Sequence, residues 1–268
     1  MYKNYISYLS NTSDTDISEL NFKSSRAYFG IVETVSSDIG KKYFDLILEE
    51  IYTTKIGIQD IIDFCNLNDS IGKPNLIVYY IPDYPYNLKC SPTSLRYFYH
   101  ALLILRHIKT TECNNIVEIG GGYGGLCLAI NFLLKFFDIN INNYHIIDLT
   151  QPIKLIEKYL NYNKSIMKIN NIYHDSASFG SDIEDKNLFM ISNYCYTEID
   201  RELNNNYNKN LLHKINNGFI VWQNGGNGGI YPIEEAKDIL NKDILKTCEE
   251  KPQTDSGQGI HKNYFVYF

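Results

Sequence analysis

The chain has 268 residues, with 25 basic and 31 acidic side chains and a net charge of −6, so it lacks the basic surplus that holds a polyanion and nonspecific nucleic-acid binding is excluded. A composition 44% apolar and 21% charged is that of a globular protein and excludes wholesale disorder, while the length suits one large domain or one domain with a smaller attachment. The excess of 30 Asn and 37 Ile over 5 Ala, with 23 Tyr, reads as coding bias and carries no functional information.

The six cysteines, at 65, 90, 113, 127, 195 and 248, form no CxxC pair and no regular spacing, which argues against a zinc ribbon and a disulfide framework. They read as reduced thiols. The first residues, MYKNYISYLSNTSDTD, have no basic region followed by an apolar core, and no stretch approaches ~18 uninterrupted apolar residues. The expectation is a soluble cytoplasmic protein with no membrane span.

In chain order, the first part reads as helical. KKYFDLILEEIY (41 to 52) places Phe44, Ile47, Leu48 and Ile51 on one face, and IQDIIDFC (58 to 65) continues in kind. LIVYYI (76 to 81) is the main strand candidate there. A helix begins at Ser91, a hydroxyl N-cap, with Pro92 in its first position and Leu95, Phe98, Tyr99, Leu102, Leu105 and Ile108 at helical spacing. After Cys113 the pattern changes to strands and helices in alternation. NNIVEIG (114 to 120) precedes a helix through LCLAINFLLKFF, and NYHIIDL (143 to 149) precedes one through PIKLIEKYLNY. KINNIYH (168 to 174), LFMISNY (188 to 194), a polar helix to about Lys214 and GFIVWQN (218 to 224) come next. This rhythm is that of a doubly wound parallel sheet. DILKTCEE (243 to 250) and NYFVYF (263 to 268) are strand-like with no helix between them, which predicts an antiparallel hairpin at the sheet edge.

The strongest chemical signal is VEIGGGYGG (117 to 125), between an apolar strand and an apolar helix. Glycines let the backbone turn tightly and approach a ligand, and the helix start offers amide donors. Gly120, Gly122 and Gly125 alone satisfy only the weak GxGxxG pattern, which a bare strand-to-helix turn also explains. Two cofactors compete for the loop. A dinucleotide brings a pyrophosphate; S-adenosylmethionine brings a carboxylate, an ammonium and a sulfonium. Glu118, two residues before the first glycine, suits an ammonium and repels a pyrophosphate, and Asp148 at the end of the next strand accepts from ribose hydroxyls in either case. The terminal hairpin favours the class I methyltransferase fold over a dehydrogenase.

With SPTSLRY (91 to 97), VEIGGGYGG, IIDL (146 to 149) followed by KLIEKYL, and ISNYCYTE (191 to 198), the chain resembles the sugar O-methyltransferases, a family of class I S-adenosylmethionine-dependent enzymes. The likeness spans roughly residues 91 to 200. It departs from the family's pattern at SNYCYTE, where the family has SNYAFSE, and after the DL, where Thr150 and Gln151 precede Pro152. The resemblance implies a Rossmann-like fold, a mostly parallel seven-stranded sheet with an antiparallel carboxy-terminal strand, preceded by a mainly helical extension. Residues 1–110 would form that extension and cap the acceptor side, and 111–268 the cofactor-binding domain. It implies methyl transfer to a sugar hydroxyl, with a sugar or sugar nucleotide as partner, in polysaccharide or glycosylated-metabolite synthesis.

Reactive sites in such sheets lie beyond the carboxyl ends of the strands. That rule selects Glu118, Gly120, Gly122 and Tyr123 after the first strand, Asp148 after the second, Asp175 and Ser176 at the adenine edge, and Asn193 after the fourth. Arg96, a lone guanidinium in an apolar helix, needs an anion, and the cofactor carboxylate serves. For the base that takes the hydroxyl proton the candidates are Glu198, His174 and His261, Glu198 preferred. His145 reads as structural. No metal-ligand spacing stands out, although a divalent metal and a homodimer stay open. So do three rival readings: methylation of a phosphoryl oxygen, an NAD-linked oxidoreductase, and a noncatalytic binding module.

Overall fold

A computed structural model describes residues 2–81, 84–225, 229–253 and 262–268. The chain divides into two compact units: residues 1–105, 122–138 and 154–167 form one, and residues 106–121, 139–153 and 168–268 the other.

The first unit carries helices α1 (Tyr2–Asn11), α2 (Arg26–Phe29), α3 (Ser37–Ile51) and α4 (Ile58–Asp69). A two-stranded antiparallel sheet, β1 (Ile77–Tyr79) with β2 (Leu88–Cys90), comes next, and then α5 (Pro92–Ile108). The helices start where their sequences allow. Ser36 accepts from the Ile39 amide (3.3 Å), the Asp60 carboxylate reaches back to the Gly57 amide (2.9 Å), and Ser91 Oγ accepts from the Thr93 amide (3.2 Å) ahead of the pre-set φ of Pro92. The periodic residues Phe44, Ile47 and Ile51 of α3 are buried, as their spacing predicts. Helix α6 (Gly125–Leu133) is buried along its whole length and belongs to this unit.

The core of this unit is aromatic, with a polar inclusion. Tyr123 packs against Phe22 (ring centroids 5.4 Å apart), Tyr28 (6.3 Å), Tyr97 (5.5 Å) and Tyr159 (5.1 Å). Lys23, wholly buried, donates to the Asn68 carbonyl and lies 4.6 Å from the centre of the Tyr123 ring. Burial pushes its ammonium below the ordinary lysine range, against the pull of Asp69 and Glu33. Ser94 Oγ donates to Asp69 (2.7 Å) and Ser91 Oγ to Glu33 (3.0 Å), so the buried carboxylates are held by hydroxyls as well as by the cation.

The second unit is built on a seven-stranded sheet. Its strands are β3 (Asn115–Ile119), β4 (Asn143–Asp148), β5 (Asn170–Asp175), β6 (Leu188–Asn193), β7 (Ile215–Gln223), β8 (Lys246–Glu249) and β9 (Asn263–Tyr267). Helix α7 (Thr150–Tyr162) comes after β4, and α8 (Arg201–Asn210) and α9 (Ala236–Leu240) lie between the later strands. The order is β5-β4-β3-β6-β7-β9-β8. β3 pairs in parallel with both β4 and β6, and β9 runs antiparallel to both β7 and β8. The sheet is therefore parallel except for β9, and the two terminal strands form the antiparallel pair that their sequence predicts. This is the mostly parallel, Rossmann-like seven-stranded sheet with an antiparallel carboxy-terminal strand that the resemblance implies.

Val117, Ile119, Ile147, Met190, Trp222, Val266 and Phe268 on one face pack with Tyr207 and Leu211 from α8 and its end and with Ile239 and Leu240 of α9. The opposite face is buried as well, with Ile116, Ile146, Phe189 and Phe219 fully covered, as in a sheet packed on both sides. α8 is polar, as ELNNNYNKN predicts, and persists because Asp200 caps it by accepting from the Leu203 amide (2.9 Å) and because Tyr207 is buried. Strand β2 is not legible in the sequence: three residues, LKC, give too short an alternation to read.

Candidate active site

The parallel register brings three carboxylates to one edge of the sheet. Asp148 and Asp175 are directly paired at the ends of β4 and β5, and Glu118 lies one residue short of the end of the neighbouring β3. Beyond β3 the chain turns through glycines into α6. Gly120 has φ +84°, and a Cβ there would stand 2.4 Å from Cys195 Cβ, so only glycine fits. The contact is built from the other strand: buried Ser192 in β6 donates to the Ile119 carbonyl (2.9 Å) and accepts from the Tyr196 amide (3.0 Å), which folds Cys195 back over the loop. Burial pushes the Cys195 thiol up, helped by Asp148, Glu198 and Glu118, so it packs as an apolar group and not as a nucleophile. Gly122, at φ +61°, likewise takes a backbone conformation that side chains rarely adopt.

Glu118 is 2% exposed. Burial pushes its carboxyl up to about 8; Asp148 adds to the rise and the hydrogen bond from Tyr144 Oη (2.9 Å) opposes it. A carboxyl of this kind is charged at little cost once a cation arrives. Asp148 accepts from the Leu149 amide at 2.8 Å and is partly exposed, and Asp175 is exposed, accepting from the Ala177 amide (2.9 Å) and from Thr150 Oγ1. Those bonds hold the Asp175 carboxyl below the ordinary range, the Thr150 bond contributing most. Ser176 opens the short 3₁₀ turn that Asp175 caps, and Asn193 ends β6. The three carboxylates are thus carried on adjacent strands of one unit.

Arg96 and Tyr123 belong to the other unit. Arg96 is 7% exposed and its Nη2 donates to the Val32 carbonyl at 2.7 Å. Tyr123 is 0% exposed; its ring sits in the aromatic core and its hydroxyl accepts from Asn68 Nδ2 (3.1 Å). Its side chain is a core element, and only its backbone is left for a ligand.

His174 does not stand as a free base. Its Nδ1 meets Asp182 Oδ2 at 2.7 Å and its Nε2 meets His145 Nδ1 at 2.9 Å, while His145 Nε2 meets Asp185 Oδ2 at 2.6 Å. The three contacts form one continuous run between the Asp182 and Asp185 carboxylates. Asp182 stays ionised in it: burial raises its carboxyl, but the His174 and Ser178 bonds win and hold it low. A ring engaged at both nitrogens has no lone pair for a substrate. His145 is structural, as expected. Glu198 lies on the 3₁₀ turn Tyr196–Glu198 after β6, partly buried, and His261 lies outside the described residues, as do residues 226–228 of the NGGNGG loop. Among the described residues no group of three or more His, Cys, Asp or Glu is placed to hold a metal ion, and no helix is long and apolar enough to cross a membrane.

The sequence matches no protein-family model and no curated protein. Solved structures are similar to it at low identity. They include the small RNA methyltransferase HEN1 (TM-score 0.48, 11% identity, covering 72% of this chain and 27% of that one) and TehB from Haemophilus influenzae (TM-score 0.44, 15% identity, 61% and 59%). A geranyl diphosphate methyltransferase in complex with SAM is another (TM-score 0.46, 10% identity, 63% and 84%). The chain spans about a quarter of the first of these proteins and less than two thirds of the second.

Two further residues at this edge escape sequence reasoning. Tyr194 falls inside SNYCYTE and comes directly after β6 in a left-handed backbone conformation, φ +63°. Glu250 comes directly after β8 and is 1% exposed; an acidic residue in the run CEEKP carries no signal that it is buried.

Proposed function

We propose that the protein transfers a methyl group from S-adenosylmethionine to a hydroxyl oxygen of a sugar, nucleotide-activated or glycan-borne. The observation that carries this reading is the set of carboxylates at the ends of β3, β4 and β5. Glu118, Asp148 and Asp175 make a strand edge that attracts a cation and repels the pyrophosphate of a dinucleotide. In this reading Glu118 meets the ammonium of the methionine portion, Asp148 the ribose hydroxyls, and Asp175 with Ser176 the adenine edge. Backbone amides of the loop at Gly120 and Gly122 take the carboxylate. When bound, S-adenosylmethionine supplies a methyl group activated on a sulfonium. The chain's part is to hold the acceptor oxygen in line with it and to take the proton.

The sugar acceptor is supported by the resemblance of SPTSLRY, IIDL and ISNYCYTE to the sugar O-methyltransferases. The division into a helical extension over residues 1–110 and a cofactor-binding domain over 111–268 is part of the same proposal. Calorimetry tests the cofactor: S-adenosylhomocysteine is expected to bind and NAD is not. Binding of NAD with no response to the sulfur ligand would restore the oxidoreductase reading. Mass spectrometry of sugar and sugar-nucleotide mixtures after incubation with the methyl donor tests the acceptor, an added mass of one methylene on a phosphoryl oxygen favouring the rival.

A further inference from the structure

The sheet order separates the strand ends into two halves at the junction of β3 and β6. Glu118, Asp148 and Asp175 lie on the β3-β4-β5 half. The other half, β6-β7-β9-β8, also has a polar fixture at the same edge. Because β8 is antiparallel to β9, and β9 to β7, β8 runs with the parallel strands, and Glu250 after it lies at the edge where β6 ends in Asn193. Asn263, the first residue of β9, stands at that edge too, paired with Gln223 at the end of β7.

Tyr194 and Glu250 meet across this edge: Tyr194 Oη donates to Glu250 Oε1. Their strands are three places apart, about 14 Å at ordinary strand spacing, so the two side chains reach toward each other over the ends of β7 and β9. Each is held. Asn263 Nδ2 donates to Glu250 Oε2 (3.0 Å), the Glu250 amide donates to the Asn263 carbonyl (2.8 Å), and Gln253 Nε2 bonds both carbonyls at 2.9 Å. The Tyr194 amide donates to the Val221 carbonyl (3.2 Å). A left-handed tyrosine is strained and persists only where its surroundings require it, and such residues cluster at reactive sites. A buried carboxylate likewise costs free energy unless bonded. Two unfavourable choices converge on one hydrogen bond at these strand ends.

We propose that Tyr194 and Glu250 form the proton relay that ionises the acceptor hydroxyl, an inference that rests on the methyl-transfer reading above. A phenol that donates to a carboxylate has lone pairs that accept from another hydroxyl. As the acceptor oxygen forms its bond to the methyl carbon, the carbon–sulfur bond breaks and its electron pair stays on sulfur. The acceptor's proton passes to Tyr194 Oη while the phenol's own proton passes to Glu250 Oε1. The products are a methyl ether, neutral thioether, neutral tyrosine and a protonated Glu250, which water then deprotonates. Tyr194 is the catalytic residue, and Glu250 acts through it. The relay favours a hydroxyl over a phosphoryl acceptor, since an oxygen that is already anionic has no proton to give up.

The test uses the full chain with S-adenosylmethionine and a panel of methyl glycosides and nucleoside diphosphate sugars, reading release of S-adenosylhomocysteine. Tyr194→Phe and Glu250→Gln are each expected to lower kcat by about 10²-fold or more, and the double variant by no more than either alone, because a relay fails when one link is cut. Affinity for S-adenosylhomocysteine should stay within about threefold, Glu250→Asp should recover part of the rate, and Glu250→Gln should lose the acidic limb of the pH profile. A readout without turnover accompanies it. In protein labelled with 3-fluorotyrosine, the ¹⁹F resonance missing from Tyr194→Phe should move in Glu250→Gln. A resonance that stays put, near-normal kcat in either folded single variant, or loss of the acidic limb in Glu198→Gln with its retention in Glu250→Gln would each overturn the relay. If the wild type fails to bind S-adenosylhomocysteine in calorimetry, or binds it and methylates none of the panel, the methyl-transfer or sugar reading itself has failed, and the relay goes with it.

Discussion

Burial changes the chemistry of Glu118. Its carboxyl sits at about 8 in the folded chain against an ordinary value near 4.5. Below the lower value it is protonated in folded and unfolded chains alike. Between the two, the folded chain keeps a proton that the unfolded chain has lost, so its contribution to stability falls as pH rises, and above about 8 the loss is complete. Glu118→Gln, a neutral copy that still accepts from Tyr144, should therefore gain thermal stability relative to the wild type as pH rises from 4.5 to 8. Parallel melting curves across that range would contradict the burial. The same carboxyl must be charged to meet an ammonium, so affinity for S-adenosylhomocysteine should rise with pH toward 8 in the wild type and stay flat in Glu118→Gln. Asp148 differs because it is partly exposed: in the proposed reading it accepts from the ribose hydroxyls, and Asp148→Ala should cost about 1–3 kcal/mol of binding. An unchanged dissociation constant in a folded variant would place the ribose elsewhere. The positions of both acids are legible in the sequence, since each stands at or next to the end of a readable strand, Glu118 before the glycine loop and Asp148 before α7. Tyr123 is not: adjacency in sequence to Gly122 places its backbone in the loop but says nothing of the direction of its ring.

At the scale of elements, the contacts His145–His174, His145–Asp185 and His174–Asp182 tie β4 and β5 to the segment that leads into β6. Burial holds His145 below the ordinary histidine range and the neighbouring His174 adds to this, with Asp185 opposing. Replacing His174 by Gln should speed amide exchange in residues 176–187, measured by mass spectrometry. The strands themselves are readable from period-two alternation, and α5 from Ser91 and Pro92. The His–His tie is not, because it depends on the register that sets His145 opposite Ile172 and Ile147 opposite His174.

At the scale of the molecule, the first unit joins segments far apart in sequence. Phe22 and Tyr28 pack on Tyr123, Phe22 packs on Tyr159, and Asn68 bonds both phenols: Nδ2 to Tyr123 (3.1 Å) and Oδ1 from Tyr159 (2.6 Å). Deleting residues 1 to 80 would strip those partners from two tyrosines that are fully buried. The truncated chain should lose its cooperative melting transition and bind a hydrophobic dye. A soluble truncation that melts cooperatively would show that the remaining helices hold a core of their own.

The sequence by itself determined the strand-and-helix rhythm, the terminal antiparallel pair and the place of the glycine loop. Each comes from local rules: side-chain period, capping chemistry and the backbone freedom of glycine. Only the tertiary structure decided which polar residues are spent inside the protein. Arg96 is met by a carbonyl, Tyr123 by Asn68, and His174 by His145 and Asp182. It also joined Tyr194 to Glu250, 56 residues apart in the chain. Burial and hydrogen-bond partnership depend on which strands lie side by side, and apart from Asp182, eight residues beyond His174, these partners lie far apart in the chain.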